Sequence, residues 1–114
     1  MRRKLRLAQP AKNDIEAIWS HTARLYDAEL ADAYELLLWQ AIRDIRDEPE
    51  RPASRKRDDL GTQVRSYHTD LSKGRSGSGV KSPRHVISYT LQFENEVRVL
   101  RILHEKMRPE RYLE

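Results

Sequence analysis

The hydrophobic period of this chain changes twice, and few small folds satisfy both changes. Leu5 and Leu7 alternate with charged neighbours over residues 4–8, the two-residue period of a short strand with one buried face. Pro10 ends that run and suits the first turn of a helix, where its missing N–H costs nothing. Ile15, Ile18, Trp19, Thr22, Leu25 and Tyr26 then recur at helical spacing, leaving Asn13, Glu16, Ser20 and Arg24 off the stripe. Leu30, Tyr34, Leu37, Leu38, Ala41, Ile42 and Ile45 repeat the pattern, with Asp27 as the expected N-cap. Pro49 and Pro52 close this second helix. Two helices joined so tightly must fold back as a hairpin.

The period then returns to two. Residues 60–68 form a thinly apolar strand candidate, set off from the helix by a basic, proline-containing linker over residues 51–59. Residues 85–93 carry Val86, Ile87, Tyr89, Leu91 and Phe93, and residues 96–104 carry Val97, Val99, Leu100, Ile102 and Leu103. The last run is apolar on both faces, which predicts a central strand. Glu94-Asn95 supplies the hairpin turn between the two. Residues 70–84 are rich in Gly and Ser and too poor in apolar residues to pack, which predicts a mobile loop. Beyond His104 the chain is polar and basic, with a final helical turn expected before Leu113.

The predicted order is strand, helix, helix, strand, strand, strand. An apolar sheet face and an apolar helical hairpin must cover each other. That gives a two-layer α+β fold, with the N-terminal strand and the hairpin packed on a small, mainly antiparallel sheet. At 114 residues the whole chain, 1–114, reads as a single domain. With 38% hydrophobic and 35% charged residues the core must be small, so stabilisation by a partner is expected. Absence of cysteine excludes a disulfide framework, a Cys-ligated zinc and a thiol nucleophile. No run approaches the roughly 20 apolar residues of a membrane span, and no signal-peptide core follows the basic start, so a soluble cytoplasmic protein is expected. A net charge of +4 permits an acidic partner without selecting one.

Motifs for bound groups are weak. Gly74-Arg75-Ser76-Gly77-Ser78-Gly79-Val80-Lys81-Ser82 superficially suggests a phosphate loop, but Val80 separates the glycine from the lysine and no long helix follows. His21, His68, His85 and His104 contain no close helical pair, so no metal and no cofactor are expected. RNA cleavage through the 2′-hydroxyl needs a base, an acid and a cation. Arg65, His85, Tyr89, Arg98 and His104 are the side chains able to supply them, against the plainer reading of a solvated sheet face. In regular strand registers His85 and Tyr89 share one face, and Arg98 and His104 share one face of theirs. Trp19 falls on its helical stripe and is expected in the core. Trp39 falls one position off its stripe, at the hairpin edge, where it is either an exposed indole that anchors a partner or a core-edge residue.

Ordered along the chain, these residues resemble the ParE branch of the RelE/ParE toxin superfamily. Ala11-Lys12-Asn13-Asp14-Ile15-Glu16-Ala17-Ile18-Trp19 is similar to the family's Ala-x-x-Asp-Leu-x-x-Ile stretch. Ala33-Tyr34, the leucines after it and Pro49 resemble the second helix and its end. His85-x-Ile87-x-Tyr89, then Val99-Leu100-Arg101-Ile102-Leu103-His104, Met107 and Arg111-Tyr112-Leu113 resemble the family's closing block. Two features depart from it: Asp27 stands where the family often has glycine, and the Gly/Ser-rich loop before His85 is longer.

The resemblance implies a type II toxin held inactive by a ParD-like antitoxin in a hetero-oligomer, with DNA gyrase as the target and replication blocked. The side chains expected to meet that target are Arg98, Arg101, His104 and Arg108. The RelE branch implies the alternative, a ribosome-dependent mRNA endoribonuclease, with Arg65, Tyr89 and His104 at the scissile phosphate. Tyr112 is the only tyrosine after His104, an incomplete match to the ribonuclease pattern. A third reading, from a different class, is a binding module of this fold that has lost toxicity.

Overall fold

A computed structural model describes residues 3–113. It contains β1 (Lys4–Leu7), α1 (Gln9–Leu25), α2 (Ala28–Asp47), β2 (Arg55–Lys56), β3 (Val64–His68), β4 (His85–Thr90) and β5 (Glu96–His104). The strands form one sheet in the order β1-β5-β4-β3-β2, and the α1–α2 hairpin covers one face. β1 runs parallel to β5, with Leu5 opposite Val97 and Leu7 opposite Val99, and every other pairing is antiparallel. β5 is thus flanked on both sides, as its two-sided apolar pattern predicts. The expected α+β layering is present, with one strand more than the sequence suggested. β2 is two charged residues long and carries no apolar signal.

Tyr26 and Asp27 alone separate the helices. The Asp27 carboxylate accepts from the Leu30 amide at 2.7 Å, satisfying one of the free N–H groups of the first turn of α2. Asp27→Ala is expected to cost about 1 kcal/mol and to lower the melting temperature by roughly 4–8 °C, read by thermal circular dichroism. An unchanged melting curve would show that the cap contributes nothing. The core lies where Leu38, Ile42 and Ile45 of α2 meet Ile87, Val99 and Ile102 of the sheet. Each such side chain, fully buried, contributes about 1.5–3 kcal/mol.

The apolar stripe of the hairpin outruns what covers it. Leu25 is 60% exposed and Tyr26 69% exposed at the hairpin tip. Trp19, expected in the core, is only half-buried, and its indole N–H donates to Asp32 Oδ1 at 2.8 Å. Trp39 packs at the margin of the core, as its off-stripe position suggests.

Three boundaries differ from the sequence reading. β3 begins at Val64, not residue 60, because Asp58–Leu60 form a 3-10 turn and Gln63 takes a left-handed φ of 50°. β4 ends at Thr90, and Asn95, with φ of 56°, closes the connection to β5. The segment expected to be a mobile loop is anchored at its start. Thr69–Ser72 form a 3-10 turn in which both end residues are fully buried. Their burial rests on polar contacts: Ser72 Oγ donates to Asp44 Oδ2 at 2.7 Å and Thr69 Oγ1 donates to the His85 carbonyl at 2.9 Å. The expected final turn is present as Pro109–Arg111, which packs against Asp58–Leu60.

A bulge in β5 decides which side chains share a face. Ser88 pairs with Arg101 but Tyr89 pairs with Val99, so Leu100 is an extra residue in the ladder. Alternation therefore resets after Leu100. Val97, Val99, Ile102 and His104 face the helices, whereas Arg98 faces away. The expected common face for Arg98 and His104 does not exist.

Candidate functional site

The side chains singled out from the sequence fall into four separate settings. The first is the junction of α1 with the end of β5. β1 stops at Leu7 because the chain turns into α1, so after Val99 β5 has no strand on that side and keeps only β4 on the other. Asp14, one turn into α1, takes over. Its Oδ2 accepts from the Ile102 amide at 2.8 Å, and the carboxylate grips Arg101 bidentately at 2.8 and 2.9 Å. Arg101 also donates to the Tyr112 carbonyl at 3.3 Å, tying the tail to the sheet. The Asp14 hydrogen bond raises the guanidinium pKa further above its ordinary value. Arg101, expected to face a target, spends its donors inside the fold.

The second setting is an aromatic stack across the ends of α2, β4 and β5. The Tyr34 hydroxyl accepts from the Arg84 amide at 2.9 Å and shares a hydrogen bond of 2.7 Å with His85 Nδ1. The His104 ring meets His85 edge-on, with centroids 5.6 Å apart. Burial, reinforced by His104, pushes the His85 pKa down to about 4, so the imidazole is neutral at physiological pH. Burial likewise raises the Tyr34 hydroxyl. The Lys106 amide donates to His104 Nδ1 at 3.2 Å, leaving Nε2 as the ring's N–H.

Arg65 and Tyr89 are cross-strand neighbours, but the pair is interior. Arg65 is 8% exposed and donates to Ser54 Oγ at 2.8 Å and to the Ser54 carbonyl at 3.2 Å. The Tyr89 hydroxyl donates to the Pro49 carbonyl at 2.6 Å. Together they fasten the linker after α2 onto the sheet. Tyr89 is four residues from His85, the partner of His104, or about 13 Å along the strand at ~3.3 Å per residue. The structure brings Arg65 and Tyr89 together and leaves His104 apart from both.

On the face away from the helices, the Arg98 guanidinium lies 3.7 Å from the centre of the Phe93 ring and donates to Glu96 Oε2 at 2.6 Å. Arg108 is exposed in the tail, and its side chain has no ion pair or hydrogen bond among the described residues. Near the same face, Glu105 accepts from His68 Nε2 at 2.7 Å and from Arg84 at 2.8 Å, and these two donors lower its pKa to about 2. The Asp70 amide occupies His68 Nδ1 at 3.0 Å, so neither ring nitrogen of His68 is open to a substrate.

Comparison with known proteins decides the family. The sequence model of the "ParE toxin of type II toxin-antitoxin system, parDE" matches residues 5–109. The chain belongs to the ParE toxin family. A solved structure described as a chromosomal ParDE toxin–antitoxin system from P. aeruginosa has the same fold, with a TM-score of 0.68 at 17% identity. The match covers 90% of this chain and 95% of that one. No curated protein sequence matches.

As a ParE toxin the protein has a system partner, the antitoxin, and the structure offers a surface for one. β1 is an edge strand, and beside it lies a groove of about 660 Å³ floored by Leu5, Leu7, Ile15 and Trp39. Lys4, Arg6 and Lys12 stand on its rim, accompanied by Glu16 and Glu96. Sequence reasoning noticed Asp14 only as part of the family's first-helix motif and missed its grip on β5. It also missed Glu105, whose partners His68 and Arg84 lie 37 and 21 residues away and leave no local pattern. Among the described residues no group of acidic and histidine side chains could hold a metal ion, and no helix is long and apolar enough to cross a membrane.

Proposed function

We propose that this ParE toxin acts in the cytoplasm by binding DNA gyrase and arresting replication, and that a ParD-like antitoxin neutralises it in a hetero-oligomeric complex. One observation supports a toxin that binds over one that cuts RNA. The nuclease candidates Arg65 and Tyr89 are buried in structural contacts remote from His104. The cations still free to meet a target lie on the surface. Of the four side chains expected at the gyrase interface, Arg108 is unpartnered among the described residues, and Arg98 is held in place on an accessible face. Arg101 is spent on Asp14 and His104 faces the helices against His85, so neither lies free on that surface.

The antitoxin is assigned to the β1 edge. The unpaired main-chain groups of β1 suit strand addition, and the apolar floor beside them suits one face of an amphipathic helix. The three cations on the rim favour an acidic segment.

The test is a supercoiling and DNA-cleavage assay with purified toxin, with the antitoxin of the same operon as the reversal control. Inhibition that the antitoxin reverses is the expected result. The double variant Lys4→Glu/Lys12→Glu should still inhibit gyrase but need at least about tenfold more antitoxin for reversal, given the several kcal/mol attached to like-charge contacts at an interface. Absence of any effect from folded toxin removes gyrase as the target and makes ribosome-dependent RNA cleavage the next measurement.

A further inference from the structure

The sheet face opposite the helices carries a cleft that neither the antitoxin groove nor the gyrase surface accounts for. Its floor is made by Ser66, His68 and Val86 of β3 and β4, with a volume of about 1050 Å³. One wall holds Arg55 and Arg57, and the other holds Lys73, Lys81 and Arg84. Among the described residues of the lining, Asp70 and Glu105 are the only carboxylates, two against five cations.

The carboxylates in and near the cleft hold some of those cations in fixed positions. Arg84 is held by Glu105 at 2.8 Å, Lys73 by Asp70 at 3.0 Å, and Arg57 bidentately by Asp59 at 2.9 and 3.0 Å. Arg55 and Lys81, on opposite walls, are exposed and have no side-chain partner among the described residues. Two unpaired cations therefore share the lining with three that carboxylates hold in place.

We propose that this cleft seats the phosphate backbone of duplex DNA. Ordered cations on two walls fit a polyanion that passes between them, and such contacts need no base sequence. Among the described residues His68 is the only ring in the lining, and with both nitrogens tied to Glu105 and the Asp70 amide it offers no run of platforms for stacking successive single-stranded bases. The floor shows the side chains of β3 and β4, whose main chains are paired with each other, so it gives an extended peptide no edge to join. With both ring nitrogens of His68 engaged, the cleft binds without proton transfer. The inference deepens the gyrase reading, because gyrase works on DNA and a toxin gripping both would hold them together; duplex binding itself does not depend on that reading.

The experiment measures binding of a short fluorescent duplex of arbitrary sequence to the intact toxin across a salt series. Arg55→Gln/Lys81→Gln is expected to weaken binding at least about tenfold and to reduce the slope of log K against log salt by about 1.8, near 0.9 per lost phosphate contact. Lys4→Gln/Lys12→Gln removes the same net charge from the β1 groove and should leave duplex binding within about twofold of the parent, since only phosphate contacts set the slope. The proposal is overturned if folded toxin does not bind duplex, if both double variants lose affinity equally, or if an acidic peptide displaces the duplex at equimolar concentration. Toxin that inhibits gyrase without binding duplex overturns the cleft assignment alone. Toxin that binds duplex through Arg55 and Lys81 but leaves gyrase untouched upholds the cleft and removes the gyrase reading.

Discussion

Replacing Asp14 with alanine is expected to destabilise the fold by about 3 kcal/mol, at the lower end of what breaking a buried ion pair costs. The carboxylate does two things at once. It neutralises Arg101, whose side chain is only 21% exposed, and it accepts from the Ile102 amide where β5 has lost its β1 neighbour. Alanine leaves a half-buried guanidinium without its anion and a backbone N–H without an acceptor, and the second alone costs about 1–3 kcal/mol. In a domain of this size the melting temperature should fall by roughly 10–20 °C. Asp14→Asn, which keeps an acceptor for Ile102 but not the charge, should lose about half as much. A fall of less than about 3 °C in the alanine variant, well under one kcal/mol in a domain this small, would show that solvent replaces both contacts.

Acid should weaken the protein well before its carboxylates titrate. His85 has a folded pKa of about 4 against an ordinary 6.5, so between those values the unfolded chain binds a proton that the folded chain refuses. The stability is fully present above pH 6.5 and declines as pH falls toward 4. At 1.36 kcal/mol per unit, the loss reaches about 2 kcal/mol by pH 5. Glu105 acts in a lower window. Its folded pKa of about 2 lies below the ordinary 4.5, so its contribution persists above pH 4.5 and disappears only toward pH 2. Urea denaturation at pH 7 and pH 5 separates the two, because that interval spans the proton uptake of His85 in the unfolded chain and lies above the window of Glu105. His85→Gln should abolish most of the difference, and equal midpoints in the parent would mean that the imidazole is not held neutral.

Most of the layering was legible because it rests on repeated apolar positions. The stripe from Ile15 to Ile45 marks both helices, Asp27 marks the boundary between them, and the double-faced run from Val97 to Leu103 marks the strand with a neighbour on each side. What escaped is held by polar contacts between residues far apart in the chain. Thr69 and Ser72 look like loop residues, yet they are fully buried because Asp44 and the His85 carbonyl receive their hydroxyls. Arg65 reads as a solvent-facing strand cation and is interior because Ser54 offers it two acceptors. The bulge at Leu100 has no compositional mark, and it reverses the faces of every later residue in β5, including His104. The two proposed binding surfaces follow the same division. The apolar groove beside β1 is built from periodic residues, while the basic cleft is assembled from four separate stretches of chain that only the fold brings together.

The parallel pairing of β1 with β5 also sets when the toxin can exist. Leu5 waits for Val97, 92 residues behind it on the nascent chain. At about 5–20 residues per second that interval is roughly 5–20 s of translation. During it the inner face of β1 has no sheet to join, and the α1–α2 hairpin has no β5 to cover. A chain without β5 therefore cannot complete the fold, and the groove proposed for the antitoxin lacks its Glu96 wall until β5 is made. On the proposed function, poisoning and neutralisation both begin only after β5 has been made.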